Sequence, residues 1–136
     1  MLFHLEPNSG VPLYRQIVDE VKKATLTGLL KDGDRLPSVR ELARSLGINP
    51  TTVVKAYDQL AQERLIVLRH GLGAFVTTGR PALPPAEREE RVDRLATRLA
   101  VEGRRHGYTE SRLLTVLKLA LRRLRPGVRR REKATP

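Results

Sequence analysis

The stretch PSVRELARSLGINPTTVVKAYDQL, residues 37–60, contains two short helix patterns separated by only two residues. Ser38, followed three residues later by Glu41, forms the capping-box pattern of a helix start, and Gly47 is expected to end that helix. Asn49 can cap a second helix that begins with a proline, at a position where a missing N–H costs nothing. Because so tight a turn forces two short helices to cross steeply, the stretch predicts a helix-turn-helix.

The segment after this pair changes to the pattern of β-strands. Two short β-prone runs, LIVLR (65–69) and AFVTT (74–78), flank HGLG (70–73), whose glycines suit a hairpin turn. A helix-turn-helix followed at once by a hairpin predicts a winged helix. A further helix ahead of the pair is indicated by apolar residues at helical spacing, namely Leu13, Ile17, Val21 and Ala24.

Proline-rich RPALPP, residues 80–85, is expected to be a linker. It divides the chain into a winged helix-turn-helix domain of residues 1–79 and a two-helix dimerisation unit of residues 86–125. The basic tail, residues 126–136, is expected to be disordered. The predicted fold class is therefore mainly α with a small β wing.

The second of the two C-terminal helices has an apolar face, at residues 113–124, that is too wide for one helical hairpin to cover. Gly103 is expected to end the first helix, and Thr109 to cap the second. A second chain would supply the missing neighbours, so we expect a homodimer. The residues expected between the two chains are Val92, Leu95, Leu99, Leu113, Leu114, Leu117, Leu121 and Leu124.

Composition argues against catalysis. The chain has 136 residues and no cysteine, which excludes disulfides, thiolate chemistry and cysteine-based zinc sites. Its three histidines have no second ligand at metal spacing, so no enzyme activity, metal or cofactor is expected. Because there is no charged leader before an apolar run, and no run long enough for a bilayer, we expect a cytoplasmic protein without membrane contact.

The charge favours a polyanionic partner, most simply double-stranded DNA. The formal net charge is +11 and the sequence pI is about 11.0. Residues 1–80 carry 11 basic and 8 acidic side chains, net +3, whereas residues 81–136 carry 15 and 7, net +8. Net charge alone therefore does not locate a DNA site in the first half of the chain.

A winged helix inserts the second helix of its pair into the major groove with the N-terminus first. Threonine hydroxyls there can contact phosphate or a base edge, and Lys55 is the one long donor that could reach a guanine or a phosphate. Arg40 is expected to contact the DNA backbone, and Arg69 with His70 a minor groove or phosphate. The alternatives are an ordinary polar surface and ordinary turn chemistry. The expected DNA contacts are Arg35, Ser38, Arg40, Asn49, Pro50, Thr51, Thr52, Val54, Lys55, Arg69, His70, Gly71, Leu72 and Gly73.

Residues 33–76 resemble the DNA-binding domain of the GntR family of bacterial transcription regulators. The shared marks are Gly33, Leu36-Pro37-Ser38, Arg40-Glu41-Leu42-Ala43, Gly47, Thr52-Val53, Ala56-Tyr57, Leu60 and Gly71-Leu72-Gly73 with Phe75-Val76. The resemblance implies DNA contacts from Arg40, from the front of the third helix and from Gly71. The chain departs from the family at Pro50, where many members have arginine, and at Glu63-Arg64, where a glycine is common.

Only two helices and a tail follow the wing, too few for an enclosed ligand pocket. The chain is similar in this to the short YtrA-like subgroup, in which a two-helix unit dimerises. The function expected is that of a sequence-specific transcription regulator, a repressor, bound as a homodimer to a pseudo-palindromic operator. A non-specific architectural DNA-binding protein and a protein-interaction module are the alternatives. The sequence identifies no small-molecule effector.

Overall fold

The computed structural model describes residues 3–78 and 83–126. In this part of the chain the elements are α1(Leu13–Leu26), α2(Val39–Leu46), α3(Pro50–Gln62), β1(Ile66–Arg69), β2(Gly73–Val76), α4(Pro85–Arg105) and α5(Glu110–Arg123). Elements α1 to β2 lie in one compact unit, and α4 and α5 in a second. This order confirms the mainly helical fold with a β wing. Residues 80–82 of the expected linker and 127–136 of the expected tail lie outside the described residues.

Apolar side chains from every element of the first unit meet in one core. Of the apolar positions expected on α1, Ile17, Val21 and Ala24 are buried and Leu13 is half-buried. The buried residues of α3 pack in the same core. Each fully buried Val, Leu or Ile contributes about 1.5–3 kcal/mol relative to an exposed one. The largest fully buried side chains are Ile17, Val18, Val21, Leu36, Leu42, Val53, Leu60 and Val76.

Local hydrogen bonds confirm the predicted helix starts. The Ser38 hydroxyl accepts a hydrogen bond from the Glu41 N–H at 3.1 Å, and the Asn49 side-chain oxygen accepts one from the Thr51 N–H at 2.9 Å. Gly47 adopts a left-handed conformation and ends α2, as expected. Because each of these contacts spans at most three residues, neighbouring sequence was enough to predict them.

Arg64, two residues after the end of α3, has an unusual backbone conformation. Its φ of 61° makes it the one non-glycine residue with positive φ among the described residues. The Leu65 N–H returns to the Leu60 carbonyl at 2.9 Å, the hydrogen bond of a left-handed helix cap. Glu63, just before the cap, pairs with Lys22 of α1 at 3.1 Å. Arg64 thus has a left-handed backbone conformation, which favours glycine, in the turn where the family commonly has a glycine.

The wing is an antiparallel hairpin in which Ile66 lies opposite Val76 and Arg69 opposite Gly73. The segment before α2 pairs with β2 of this hairpin, because the Leu36 N–H donates to the Ala74 carbonyl at 2.9 Å. A β-bridge also joins Arg35 to Phe75. The start of α2 is therefore fixed against the wing.

The structure corrects the expected end of α4. The helix does not stop near Gly103 but continues to Arg105, and the chain turns at Gly107, whose φ is 82°. Gly103 has a different role, since a Cβ there would collide with the Leu113 side chain of α5. The glycine is needed for close approach of two helices, which the sequence pattern could not distinguish from a helix stop.

Candidate nucleic-acid interface

The front of α3 presents a nearly neutral surface. The side chains of Thr51, Val54, Lys55 and Asp58 are exposed, whereas Thr52 is half-buried at the edge of the core. Asn49 and Pro50, also exposed, set the start of the helix. The first-turn N–H groups and the positive end of the helix dipole add positive potential here without a side-chain charge.

Lys55 is held by a contact that the sequence did not predict. Its Nζ lies 4.1 Å from the centroid of the Tyr14 ring on α1, within the range of a cation–π interaction. The periodicity of α1 gave no indication of this contact, because the two residues are far apart in the chain. Tyr14 is therefore a neighbour of the candidate interface that sequence reasoning missed.

A groove of about 400 Å³ separates the start of α2 from the wing. It brings together several of the predicted contact residues from two different segments. Among the described residues, the guanidinium groups of Arg35, Arg40 and Arg69 make no ion pair, so their charge is available to an anion. The predicted residues that line the groove are Arg35, Ser38, Arg69, His70, Gly71, Leu72 and Gly73.

Two arginine side chains lie against residues of the wing. The Arg69 guanidinium lies 5.3 Å from the centroid of the Phe75 ring. The Arg35 Nε lies 3.0 Å from the place that a Cβ on Gly73 would occupy. Because Gly73 also has a φ of 119°, a larger residue there would be strained and would push this guanidinium aside.

The wing tip is open. His70, Gly71 and Leu72 are all exposed, and the Leu72 N–H closes the turn on the Arg69 carbonyl at 3.0 Å. An exposed glycine beside an arginine lets the backbone approach a phosphate closely. The surface chemistry of the tip is therefore compatible with the predicted phosphate or minor-groove contact.

Tyr57 fixes the crossing of the two helices behind this surface. Its hydroxyl donates to the Pro37 carbonyl at 2.6 Å, which ties α3 to the segment before α2. Burial, with a smaller contribution from the Glu41 carboxylate, raises the pKa of Tyr57 above its usual value. The hydroxyl therefore remains a hydrogen-bond donor at physiological pH.

Arg40 lies in the first turn of α2, with an exposed side chain. It is not among the residues that line the groove beside the wing. A long cation in this position suits a contact to the DNA backbone, since the guanidinium reaches well beyond the helix surface.

The second unit has no buried residue on either helix. Between α4 and α5 lies an apolar groove of about 520 Å³, lined by Val92, Leu95 and Leu99 from one helix and Leu113, Leu114 and Leu117 from the other. Val92 and Leu95 are 64% and 60% exposed, and Leu121 is exposed as well. Leu113 and Leu124 are half-buried. So wide an exposed apolar surface is typical of an interaction site.

Within residues 3–78 and 83–126, no helix combines the length and apolar character that crossing a membrane requires.

Comparison with known proteins identifies the first unit. The family model described as "Bacterial regulatory proteins, gntR family" matches residues 13–76. The HTH-type transcriptional repressor YtrA of Bacillus subtilis (strain 168) is 42% identical over 76 residues, which are 56% of this chain and 58% of that repressor. The similarity to this relative therefore covers little more than half of either protein.

Solved structures extend the comparison. YtrA from Sulfolobus acidocaldarius, a GntR-family transcription factor, has a TM-score of 0.60 and 34% identity, over 74% of this chain and 99% of that chain. The AraR DNA-binding domain in complex with operator ORX1 has a TM-score of 0.50 and 25% identity, over 57% of this chain and 95% of that chain. The two YtrA proteins are named as a transcriptional repressor and a transcription factor, which agrees with the prediction of a transcription regulator and not an enzyme.

Proposed function

Because this chain belongs to the GntR family of bacterial regulatory proteins, we propose that it is a transcription repressor that binds a pseudo-palindromic operator as a homodimer. The observation that carries the proposal is that one chain has two surfaces suited to these two partners, DNA and a second copy of the chain. One is a winged helix with three arginines that make no ion pair among the described residues, and the other is an uncovered apolar face on α4 and α5.

The proposed operator contacts fall into two groups. Arg35, Arg40, Arg69, His70 and the wing glycines would contact the DNA backbone, because guanidinium groups and exposed backbone suit phosphate. The front of α3 would read bases, through short side chains that approach the edges of base pairs in the major groove. The other residues proposed to contact DNA lie on α3 and at the N-caps of α2 and α3, and they are Ser38, Asn49, Pro50, Thr51, Thr52, Val54 and Lys55.

Dimerisation through α4 and α5 would cover the exposed leucines and place two winged helices on one DNA molecule. Half-sites would then lie one helical turn apart or a multiple of it, about 34–36 Å per turn. The name of the Bacillus subtilis relative supports repression, which we propose acts by blocking access of RNA polymerase to the promoter. Such a protein would work in the cytoplasm, where the chromosome lies.

Selection of genomic DNA fragments by the purified full-length chain tests the proposal. We expect a recurrent sequence with two-fold symmetry, bound at least about a thousand times more tightly than random DNA. Equal affinity for selected and random duplexes would instead indicate an architectural protein. No DNA binding even at low salt would indicate a protein-interaction module.

Repression and stoichiometry need separate measurements. Sedimentation of the complex should show two chains on one selected duplex. Transcription in vitro from a promoter that carries the selected site should fall as the protein is added. A rise in transcription would contradict repression while leaving operator binding intact.

A further inference from the structure

Lys55 is the sole basic residue of α3, and its ammonium is turned toward α1. The Nζ atom lies 4.1 Å from the centroid of the Tyr14 ring, where the negative face of the ring attracts a cation. Tyr14 is half-buried at the start of α1 and packs on the hydrophobic core. The ring is therefore the fixed partner, and the flexible lysine side chain has taken its position from it.

Two contacts define how α1 and α3 are aligned. Tyr14, in the first turn of α1, meets Lys55 near the middle of α3, and Lys22, in the second half of α1, pairs with Glu63, the residue that follows α3. In both segments the second contact follows the first by eight residues, so α1 and α3 run side by side in the same direction. The Lys55 ammonium thus lies on the flank of α3 that faces α1, near the middle of the helix.

The position of this flank on DNA follows from the proposed insertion of α3. A helix that enters the major groove N-terminus first has base edges ahead of it and a phosphate strand along each side. A cation drawn to the side of the helix is therefore drawn toward phosphate and away from the bases. Lysine suits such a contact, because its ammonium is a compact point charge that donates in several directions.

We propose that Lys55 contacts a backbone phosphate and reads no base, and that Tyr14 is the positioning residue that holds it there. The inference rests on the proposed function, since it requires DNA-bound α3. Its consequence concerns specificity: the base-reading side chains of α3 contain no cation. Sequence preference would then come from Thr51, Thr52 and Val54, through hydroxyl hydrogen bonds and contacts with thymine methyl groups.

The first test replaces the cation with a neutral side chain of similar length. Lys55→Gln in the full-length chain is titrated with the duplex recovered by selection and with duplexes that change one base pair at a time. We expect the slope of log K against log salt to become shallower by about 0.9, the value for one phosphate contact. The ranking of the altered duplexes should remain that of the wild type. A loss of affinity confined to one base pair, or an unchanged slope, would overturn the phosphate assignment.

The second test distinguishes the cation–π contact of the Tyr14 ring from the packing of its side chain. Tyr14→Leu removes the aromatic face and should weaken binding by about 2- to 5-fold, whereas Tyr14→Phe keeps the face and should bind like the wild type. In a chain that already carries Lys55→Gln, Tyr14→Leu should have no further effect, because the cation it positions is gone. A similar loss in that background would show that Tyr14 acts only through the fold.

NMR spectroscopy of the free protein tests the contact without DNA and without the leucine variant. A methylene group close to an aromatic face has NMR signals shifted upfield by the ring current. The ε-methylene signals of Lys55 should show this shift in the wild type and in Tyr14→Phe. Their appearance at ordinary values in both would overturn the positioning role.

Failure of the proposed function has a different signature. A wild-type chain that binds selected and scrambled duplexes equally would overturn operator recognition. The difference in salt slope between wild type and Lys55→Gln would still be measurable on the scrambled duplex, and it would still decide whether Lys55 contacts phosphate.

Discussion

Arg40 and Thr52 represent two kinds of contact that a side chain on this surface can make with DNA. Arg40 is long, charged and exposed in the first turn of α2. Thr52 is short, uncharged and half-buried on α3. A long cation reaches a phosphate and displaces counterions, whereas a short hydroxyl acts only on the base edge or phosphate it directly touches. The two residues should therefore affect different measured quantities.

Replacing Arg40 with alanine should weaken binding to all DNA sequences to a similar degree. The slope of log K against log salt should become shallower by about one, because one fewer counterion is released. Arg98→Ala, which removes an exposed arginine from α4, is the matched control and should change neither quantity. Unchanged affinity and slope in a folded Arg40→Ala chain would contradict the assignment.

Replacing Thr52 with alanine should alter the preference for one or two base pairs and leave the salt slope as it is. The change removes a neutral hydroxyl and a methyl group, so no counterion release is lost. Repeating the selection with the variant measures the preference. Thr115→Ala on α5 removes an exposed threonine elsewhere and serves as the control. Equal weakening on every sequence would show that Thr52 contacts phosphate or supports the fold.

At the scale of an element, the end of α3 carries a conformation that its residue does not favour. Arg64 has a φ of 61°, and a left-handed conformation costs a side chain with a Cβ about 1–2 kcal/mol. The hydrogen bond from Leu65 to Leu60 and the pair between Lys22 and Glu63 hold the turn in place. Packing of α3 against α1 and β1 therefore outweighs the local preference of the chain.

Arg64→Gly should stabilise the first unit. Relief of the left-handed strain exceeds the entropy that a glycine adds to the unfolded chain, which leaves a gain of about 0.5–1 kcal/mol in the free energy of unfolding. Urea unfolding followed by circular dichroism measures the gain. Arg64→Ala keeps the Cβ and the strain, so it should show no comparable gain. Equal stability of the glycine and alanine variants would mean that the turn stores no strain.

At the scale of the whole molecule, the two units differ in how much of their apolar surface is buried within one chain. The first has a closed core, whereas α4 and α5 have no buried residue among them. Leucines on the facing sides of this pair remain in contact with solvent, and covering such area contributes about 25 cal/mol per Å². We infer that the second unit reaches its stable form only in the proposed dimer.

A charge on this apolar face should separate the chains. Leu117→Glu places a carboxylate in the groove between α4 and α5, where a partner helix would have to bury it. We expect analytical ultracentrifugation to show monomers at concentrations where the wild type is dimeric, with weaker operator binding. Leu119→Glu is a close control, since Leu119 is 41% exposed against 42% for Leu117 but does not line the groove. Equal effects of the two variants would contradict the proposed interface.

Much of the fold could be predicted from the sequence, because helix ends, strand runs and turns are decided by neighbouring residues. The caps at Ser38 and Asn49, the stop at Gly47 and the hairpin turn between Arg69 and Gly73 all depend on contacts within a few positions. The role of Gly103 could not be predicted from neighbouring residues. A glycine after an apolar run predicts a helix stop, yet here α4 continues to Arg105, and the Leu113 side chain occupies the space that a Cβ at Gly103 would need.

The sequence by itself determined which elements form, which of their faces are apolar and which segment resembles a DNA-binding domain. Only the tertiary structure decided where individual side chains point. The ammonium of Lys55 rests on Tyr14, the hydroxyl of Tyr57 reaches Pro37, and the guanidinium of Arg35 lies against the wing. The physical reason is range: helix propensity and capping act within a turn or two, whereas these contacts join residues that only packing of the core brings together.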